Sequence, residues 1–166
     1  MKKRFLSLIG VITIMFSMFG NVSAANNSKR KSDCTIIFSK IGLLVNKCPY
    51  VWGGASSSGC DCSGLVWYAY HLTGPKFNLG SEQCSADIAQ YLYKKNKYVS
   101  ASWALDMGDL IFYDLGSRNQ KKFKGIDHVS IYHQNDLIFE SMPDSGVRYT
   151  KRHSKSKEVF YGDLWV

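Results

Sequence analysis

The chain has 166 residues, 45% of them hydrophobic and 20% charged, with ten Tyr, nine Phe and four Trp. That is enough apolar material for one folded domain and too aromatic a composition for a disordered chain. Twenty-one Lys and Arg against thirteen Asp and Glu give a formal charge of +8, and the composition excludes collagen-like, coiled-coil and multi-span membrane architectures.

Residues 1–24 read as a secretory signal peptide. Met1 to Arg4 is basic, Phe5 to Gly20 is an uncharged and mostly apolar run, and Val22 and Ala24 occupy the −3 and −1 positions of a cleavage site after Ala24. The competing reading is an uncleaved anchor, for which the run is short against a span of about 20 residues. No Cys stands directly after the cleavage site, so lipid attachment is not indicated. The expected product is secreted or held in the cell envelope, without stable membrane association, and keeps a charge of +5 once Lys2, Lys3 and Arg4 are gone. Residues 25–34, polar and basic, read as a flexible lead-in to a domain over 35–166.

Within that domain, Ile36, Ile37, Ile41, Leu44 and Val45 recur at helical spacing over Thr35–Asn46, and Pro49 follows. Tyr50 to Gly59 is a Gly- and Ser-rich loop. A second helix starts near Cys62, carries Leu65, Val66, Ala69 and Leu72 on one side, and stops at Gly74-Pro75. A third is predicted over Ser85–Lys94, burying Ile88, Tyr91 and Leu92. The pattern then changes to strands at Leu110–Tyr113, His128–His133, Leu137–Ser141, Val147–Thr150 and Glu158–Tyr161. Helices first and strands later predict an α+β fold, N-terminal helices packed on a C-terminal antiparallel sheet. Arg118 to Lys124 is basic but lacks the interleaved aromatics of a nucleic-acid site and reads as a solvated loop.

All five cysteines, Cys34, Cys48, Cys60, Cys62 and Cys84, follow the signal segment, and an oxidising compartment permits disulfides among them. The odd number leaves at least one thiol outside any intrachain pairing. No pair has Cys-x-x-Cys spacing, and Cys60-x-Cys62 suits tetrahedral ligation poorly, so no metal site is expected. Cys62 is placed for chemistry. Asp61 can cap the helix, Ser63-Gly64 keep its first turn small, and a thiol there faces unsatisfied N–H groups and the positive end of the helix dipole, which favour the thiolate. The same amides could hold an oxyanion. The competing reading is a buried small hydrophobe or half a disulfide.

The segments Tyr50-Val51-Trp52-Gly53-Gly54 and Gly59-Cys60-Asp61-Cys62-Ser63-Gly64-Leu65-Val66, then Gly108-Asp109-Leu110-Ile111-Phe112-Tyr113, then His128-Val129-Ser130-Ile131-Tyr132, resemble in order and spacing the signature of the NlpC family of bacterial cell-wall cysteine peptidases. Gln83 falls where such sequences often carry a Gln. The resemblance covers most of residues 35–165. It implies a papain-like domain with the nucleophile at a helix N-terminus, Cys62 as the attacking thiolate and His128 as the base that later protonates the leaving amine. It further implies that Tyr50 helps the Cys62 backbone N–H hold the oxyanion, and that Asp61 and Ser63 receive polar groups of the bound peptide. No cofactor is implied.

His128 has rivals in His71, His133 and His153, the last in a basic tail segment. The family's orienting residue, about twelve positions after the base and most often His, falls here on Glu140. A carboxylate there can accept the Nδ1–H and favour the imidazolium. A three-residue loop at Gln134-Asn135-Asp136 would set Ser130 opposite Glu140 and bring Glu140 onto the face of His128, whereas a two-residue loop would turn it away. Asp127 and Ser141 are the reserves. Cys48 and Cys60 depart from the family pattern at the two ends of the Tyr50–Gly59 loop. A Cys48–Cys60 bridge would stiffen that loop, a Cys60–Cys62 bridge would silence the nucleophile, and the sequence allows both.

The implied function is an exported, monomeric peptidoglycan hydrolase acting on stem peptides, typically at the bond from the γ-carboxyl of D-glutamate to the diamino acid. Alternatives are a Cys-His amidase or acyltransferase of related fold, and an inactive secreted module that binds the wall.

Overall fold

The structure, a computed structural model, describes residues 26–72, 79, 84–116 and 122–165. The signal segment, Gly74-Pro75, Gln83 and residues 118–121 of the basic stretch lie outside the described residues. Among the described residues, no helix is long and apolar enough to cross a membrane.

Helix α1 covers 26–42, so it starts well before Thr35 and takes in most of the stretch expected to be a flexible lead-in. Its inward face carries Cys34, Ile37 and Ile41, all buried. One turn earlier, Arg30 lies over the chain's far end. Its Nε donates to the Met107 carbonyl at 2.9 Å, Nη1 reaches Asp163 at 3.3 Å, and Nη2 bonds Asp109. Polar composition suggested solvent there, but this Arg has buried carboxylates to meet, and its guanidinium also sits over the Trp165 ring. Beyond the helix, Asn46 at φ 59° turns the chain toward Pro49.

The loop after Pro49 contains a small hairpin of β1 (Ala55–Ser56) and β2 (Gly59–Cys60). Helix α2 (Cys62–His71) follows at once and buries Leu65, Val66 and Ala69 as its spacing predicted. Helix α3 (Ser85–Lys94) buries Ile88 and Leu92. All five expected strands form: β3 (Leu110–Tyr113), β4 (His128–Tyr132), β5 (Leu137–Met142), β6 (Gly146–Lys151) and β7 (Glu158–Gly162). They make one antiparallel sheet in the order β6-β5-β4-β3-β7.

Strand alternation divides the sheet into two faces. Leu110, Phe112, Val129, Ile131, Phe139 and Phe160 join Ile37, Ile41, Leu65, Val66, Ile88 and Leu92 in the main core. Each such side chain removed from water contributes about 1.5–3 kcal/mol before chain entropy is set against it. Ile111, Tyr113 and Ile138 form a smaller cluster on the other face. The α+β reading of the sequence stands: N-terminal helices lie on a C-terminal antiparallel sheet.

Candidate active site

The site is assembled at the junction of α2 and β4. Asp61 caps α2: its Oδ1 accepts from the Gly64 N–H at 2.7 Å and the Ser63 hydroxyl at 2.8 Å, and its Oδ2 accepts from the Gly53 N–H at 2.8 Å. One carboxylate therefore both starts the helix and ties down the loop that carries Tyr50 and Trp52. Gly64 permits this approach, since a Cβ there would fall 1.8 Å from the Gly54 carbonyl oxygen. An open cleft of about 380 Å³ lies above, with Tyr50, Trp52, Asp61, Cys62, Ser63 and Lys122 in its wall.

Cys62 opens α2, and its sulfur receives the backbone N–H groups of Val129, Ser63 and Cys62 itself. Burial, with a smaller push from the Asp61 carboxylate, outweighs those amides and takes the thiol up to about 11. The sequence led us to expect a resting thiolate favoured by the helix N-terminus. Desolvation works against that pull and raises the thiol instead. The Tyr50 hydroxyl is likewise pushed up to about 12, chiefly by burial and further by the nearby Cys62 and Asp61.

His128 is the first residue of β4, next to the Val129 N–H that touches the sulfur. Its ring lies on the sheet face away from the main core, 5.7 Å from the Tyr113 ring. The Cys62 sulfur and the His128 ring thus both lie at the start of β4. Among the described residues no hydrogen bond joins the two side chains.

The three-residue loop is the one formed. His133 N–H bonds the Leu137 carbonyl at 2.9 Å, Asn135 and Asp136 take positive φ, and Ile131 pairs with Phe139. That register brings Glu140, wholly buried, onto the face of His128, where its Oε2 lies 2.7 Å from Nε2. The contact therefore uses Nε2 rather than the Nδ1 expected from sequence. An ionised carboxylate has no proton to give, so Nε2 carries one and the neutral ring keeps its lone pair on Nδ1. The two reserves are engaged elsewhere: Asp127 accepts from the Leu115 N–H at 2.8 Å, and Ser141 donates to the Cys60 carbonyl at 2.7 Å.

Two partners of Glu140 escaped the reading of the sequence. His153 brings its Nε2 to the same Oε2 at 2.8 Å, and Arg148 holds Oε1 with Nε and Nη2, each at 2.8 Å. Arg148 stands opposite Glu140 in the β5–β6 register, so a cross-strand charge pair was the available signal. No spacing pointed to His153. Burial pulls the Glu140 carboxyl upward, but the hydrogen bonds and charges of His128 and His153 prevail and hold it well below the usual carboxylate range. The other two histidines sit apart: His71 stacks on Trp67, and His133 bonds the Tyr149 hydroxyl.

The donor atoms of His128, Glu140 and His153 lie within 4.8 Å of one another, close enough to consider a cation. The Arg148 guanidinium on the same carboxylate opposes a second positive charge, and both ring nitrogens stand at hydrogen-bond distance from Oε2. The cluster is built to share protons. Elsewhere, Cys48 and Cys60 place their sulfurs 3.7 Å apart in the core, while Cys62 faces the cleft. Of the two bridges that the sequence allowed, the first has its thiols adjacent.

The NlpC/P60 family model matches residues 47–163. A protein of Escherichia coli K12 described as a probable endopeptidase, YafL, is 35% identical over 119 residues, which is 71% of this chain and 42% of YafL. The bifunctional muramidase/DL-endopeptidase CwlT of Bacillus subtilis is 34% identical over 103 residues, 61% of this chain and 27% of CwlT. The chain thus spans less than half the length of these curated relatives. Among solved structures, NlpC2 from Trichomonas vaginalis superposes with a TM-score of 0.64 at 19% identity, covering 81% of this chain and 47% of that one. This chain belongs to the NlpC/P60 family.

Proposed function

We infer that this NlpC/P60 protein is a cysteine endopeptidase that works at the cell envelope and cuts an amide bond in the stem peptide of peptidoglycan. The observation that carries the reading is the chain of contacts from Glu140 through His128 to the strand start where the Cys62 sulfur rests, at the floor of an open cleft. As the sulfur attacks the carbonyl carbon, the thiol proton passes to Nδ1 of His128. Glu140 stabilises the imidazolium so formed. The carbonyl oxygen, now negative, takes the Cys62 backbone N–H and the Tyr50 hydroxyl. His128 then returns the proton to the leaving amine, and a water molecule, deprotonated by the same ring, frees the acyl group from sulfur.

The bond we favour joins the γ-carboxyl of D-glutamate to the diamino acid. Ser63 and Lys122 in the cleft wall offer a hydroxyl and a cation to the carboxylates and amides of such a peptide, while Asp61 serves mainly to shape the wall. The chain's excess of Lys and Arg over Asp and Glu suits an anionic cell wall. The protein is proposed to act as a monomer without a cofactor, secreted after removal of residues 1–24.

Digestion of defined muropeptides by the wild type and by Cys62→Ala, with product masses recorded, tests this. Free L-alanyl-D-glutamate or its muramyl form, made by the wild type alone, is the expected result. Release of whole stem peptides from glycan would make the protein an amidase instead, and cleavage that survives Cys62→Ala would overturn the cysteine mechanism.

A further inference from the structure

We propose that His153 is a positioning residue of the catalytic base, holding the Glu140 carboxylate in the orientation that presents it to His128. His153 acts through Glu140 and so rests on the reading of Cys62 and His128 as nucleophile and base. Glu140 is wholly buried, and its two oxygens are divided between three donors. Oε1 takes Nε and Nη2 of Arg148, each at 2.8 Å. Oε2 takes Nε2 of His128 at 2.7 Å and Nε2 of His153 at 2.8 Å.

A Glu carboxylate turns about its terminal bond in a broad well, so rotamer preference alone does not aim it. Arg148 holds one oxygen in the plane of its guanidinium, and His153 fills the second acceptor direction of the other. With both in place, the direction left on Oε2 points at the His128 ring. The His153 ring is itself fixed, standing edge-on to Tyr113 at 4.9 Å and to His128 at 5.5 Å. Take His153 away and the buried Oε2 of Glu140 loses a donor. The carboxylate is then free to swing toward Arg148, and the His128 ring loses the contact that fixes its orientation. A ring out of aim slows proton transfer without weakening substrate binding. Among the described residues, His153 is not part of the cleft wall, so its loss falls on kcat rather than KM.

The test is a set of variants assayed on one muropeptide. His153→Phe keeps an aromatic ring against Tyr113 but has no N–H to give, whereas His153→Gln places an amide N–H where Nε2 stood. The expected result is a kcat loss of tenfold or more in His153→Phe with KM within twofold, and recovery in His153→Gln to within threefold of the wild type. In Glu140→Gln there is no anion to aim, so adding His153→Phe should cost nothing more. Should His153→Phe fail to fold by thermal melting, His153→Leu takes its place in the same cycle. Wild-type kcat in the apolar variant, a Gln variant as poor as Phe, or losses that multiply in the double variant would each overturn the proposal. Cys62→Ala run alongside separates the two levels: activity in that variant sinks the cysteine mechanism itself, while an inert Cys62→Ala beside an unimpaired His153→Phe sinks only the role of His153.

Discussion

His128 meets Glu140 through Nε2, at 2.7 Å, across a hairpin whose loop is Gln134-Asn135-Asp136. One residue fewer in that loop would have sent Glu140 to the opposite face of the sheet. With Nε2–H given to the carboxylate, Nδ1 is the ring atom left to accept a proton.

Alkylation of Cys62 should rise with pH. Burial holds the thiol near 11, so the thiolate fraction grows about tenfold per pH unit through the neutral range. Iodoacetamide labelling of the Cys62 peptide, followed by mass spectrometry from pH 6 to 10, should climb without levelling off below pH 9. A plateau already reached at pH 7 would reveal a resting thiolate–imidazolium pair instead.

Glu140 should make stability sensitive to acid. Its folded-state pKa lies below the unfolded value of about 4.3, so its contribution is whole above that value and disappears as pH falls toward the folded one. Urea midpoints measured from pH 7 down to pH 2 should drop for the wild type below about pH 4 and drop less for Glu140→Gln. Parallel curves for the two proteins would contradict this.

Gly64→Ala should be severe. The added methyl meets the Gly54 carbonyl oxygen at 1.8 Å, backbone against backbone, where nothing flexible can give. Moving the loop would break the Asp61 bond to Gly53 and displace Tyr50. Loss of activity of a hundredfold or more, with a lowered melting temperature, is expected. A variant that melts and cleaves as the wild type does would mean that the loop and α2 are not in such contact.

Arg30→Ala should destabilise the protein by about 3 kcal/mol, since it strands the buried Asp109 and Asp163 carboxylates without their cation. Chemical denaturation would read this directly. An unchanged midpoint would return residues 26–32 to the solvated role that their composition suggested.

Oxidation should join Cys48 to Cys60. Their sulfurs are 3.7 Å apart and buried, so treatment with oxidised glutathione should give an intramolecular cystine, two hydrogen atoms lighter, with one glutathione disulfide reduced to two thiols. Peptide mapping under non-reducing conditions should find that pair and leave Cys62 available to alkylation. A Cys60–Cys62 cystine would be the contrary finding.

The strands, two of the three helices and their inward faces were legible from local pattern. Alternation along β3 to β5 and helical spacing in α2 and α3 are properties of neighbouring residues, and burial simply follows them. Cys62 was legible for the same reason, because Asp61, Ser63 and Gly64 make a helix start that the chain writes within four residues. Three things depended on distant segments. The lead-in became helix because Arg30 finds Asp109 and Asp163, residues that no local window includes. The thiol at position 62 is raised rather than lowered because burial, set by the packing of α2 on β4, exceeds the pull of its own helix. His153 joined Glu140 only because β6 returns the chain beside β5. Hydrophobic periodicity is a short-range code, whereas the charge state of a buried group is a sum over everything the fold brings near it, and that sum exists only once the chain has closed.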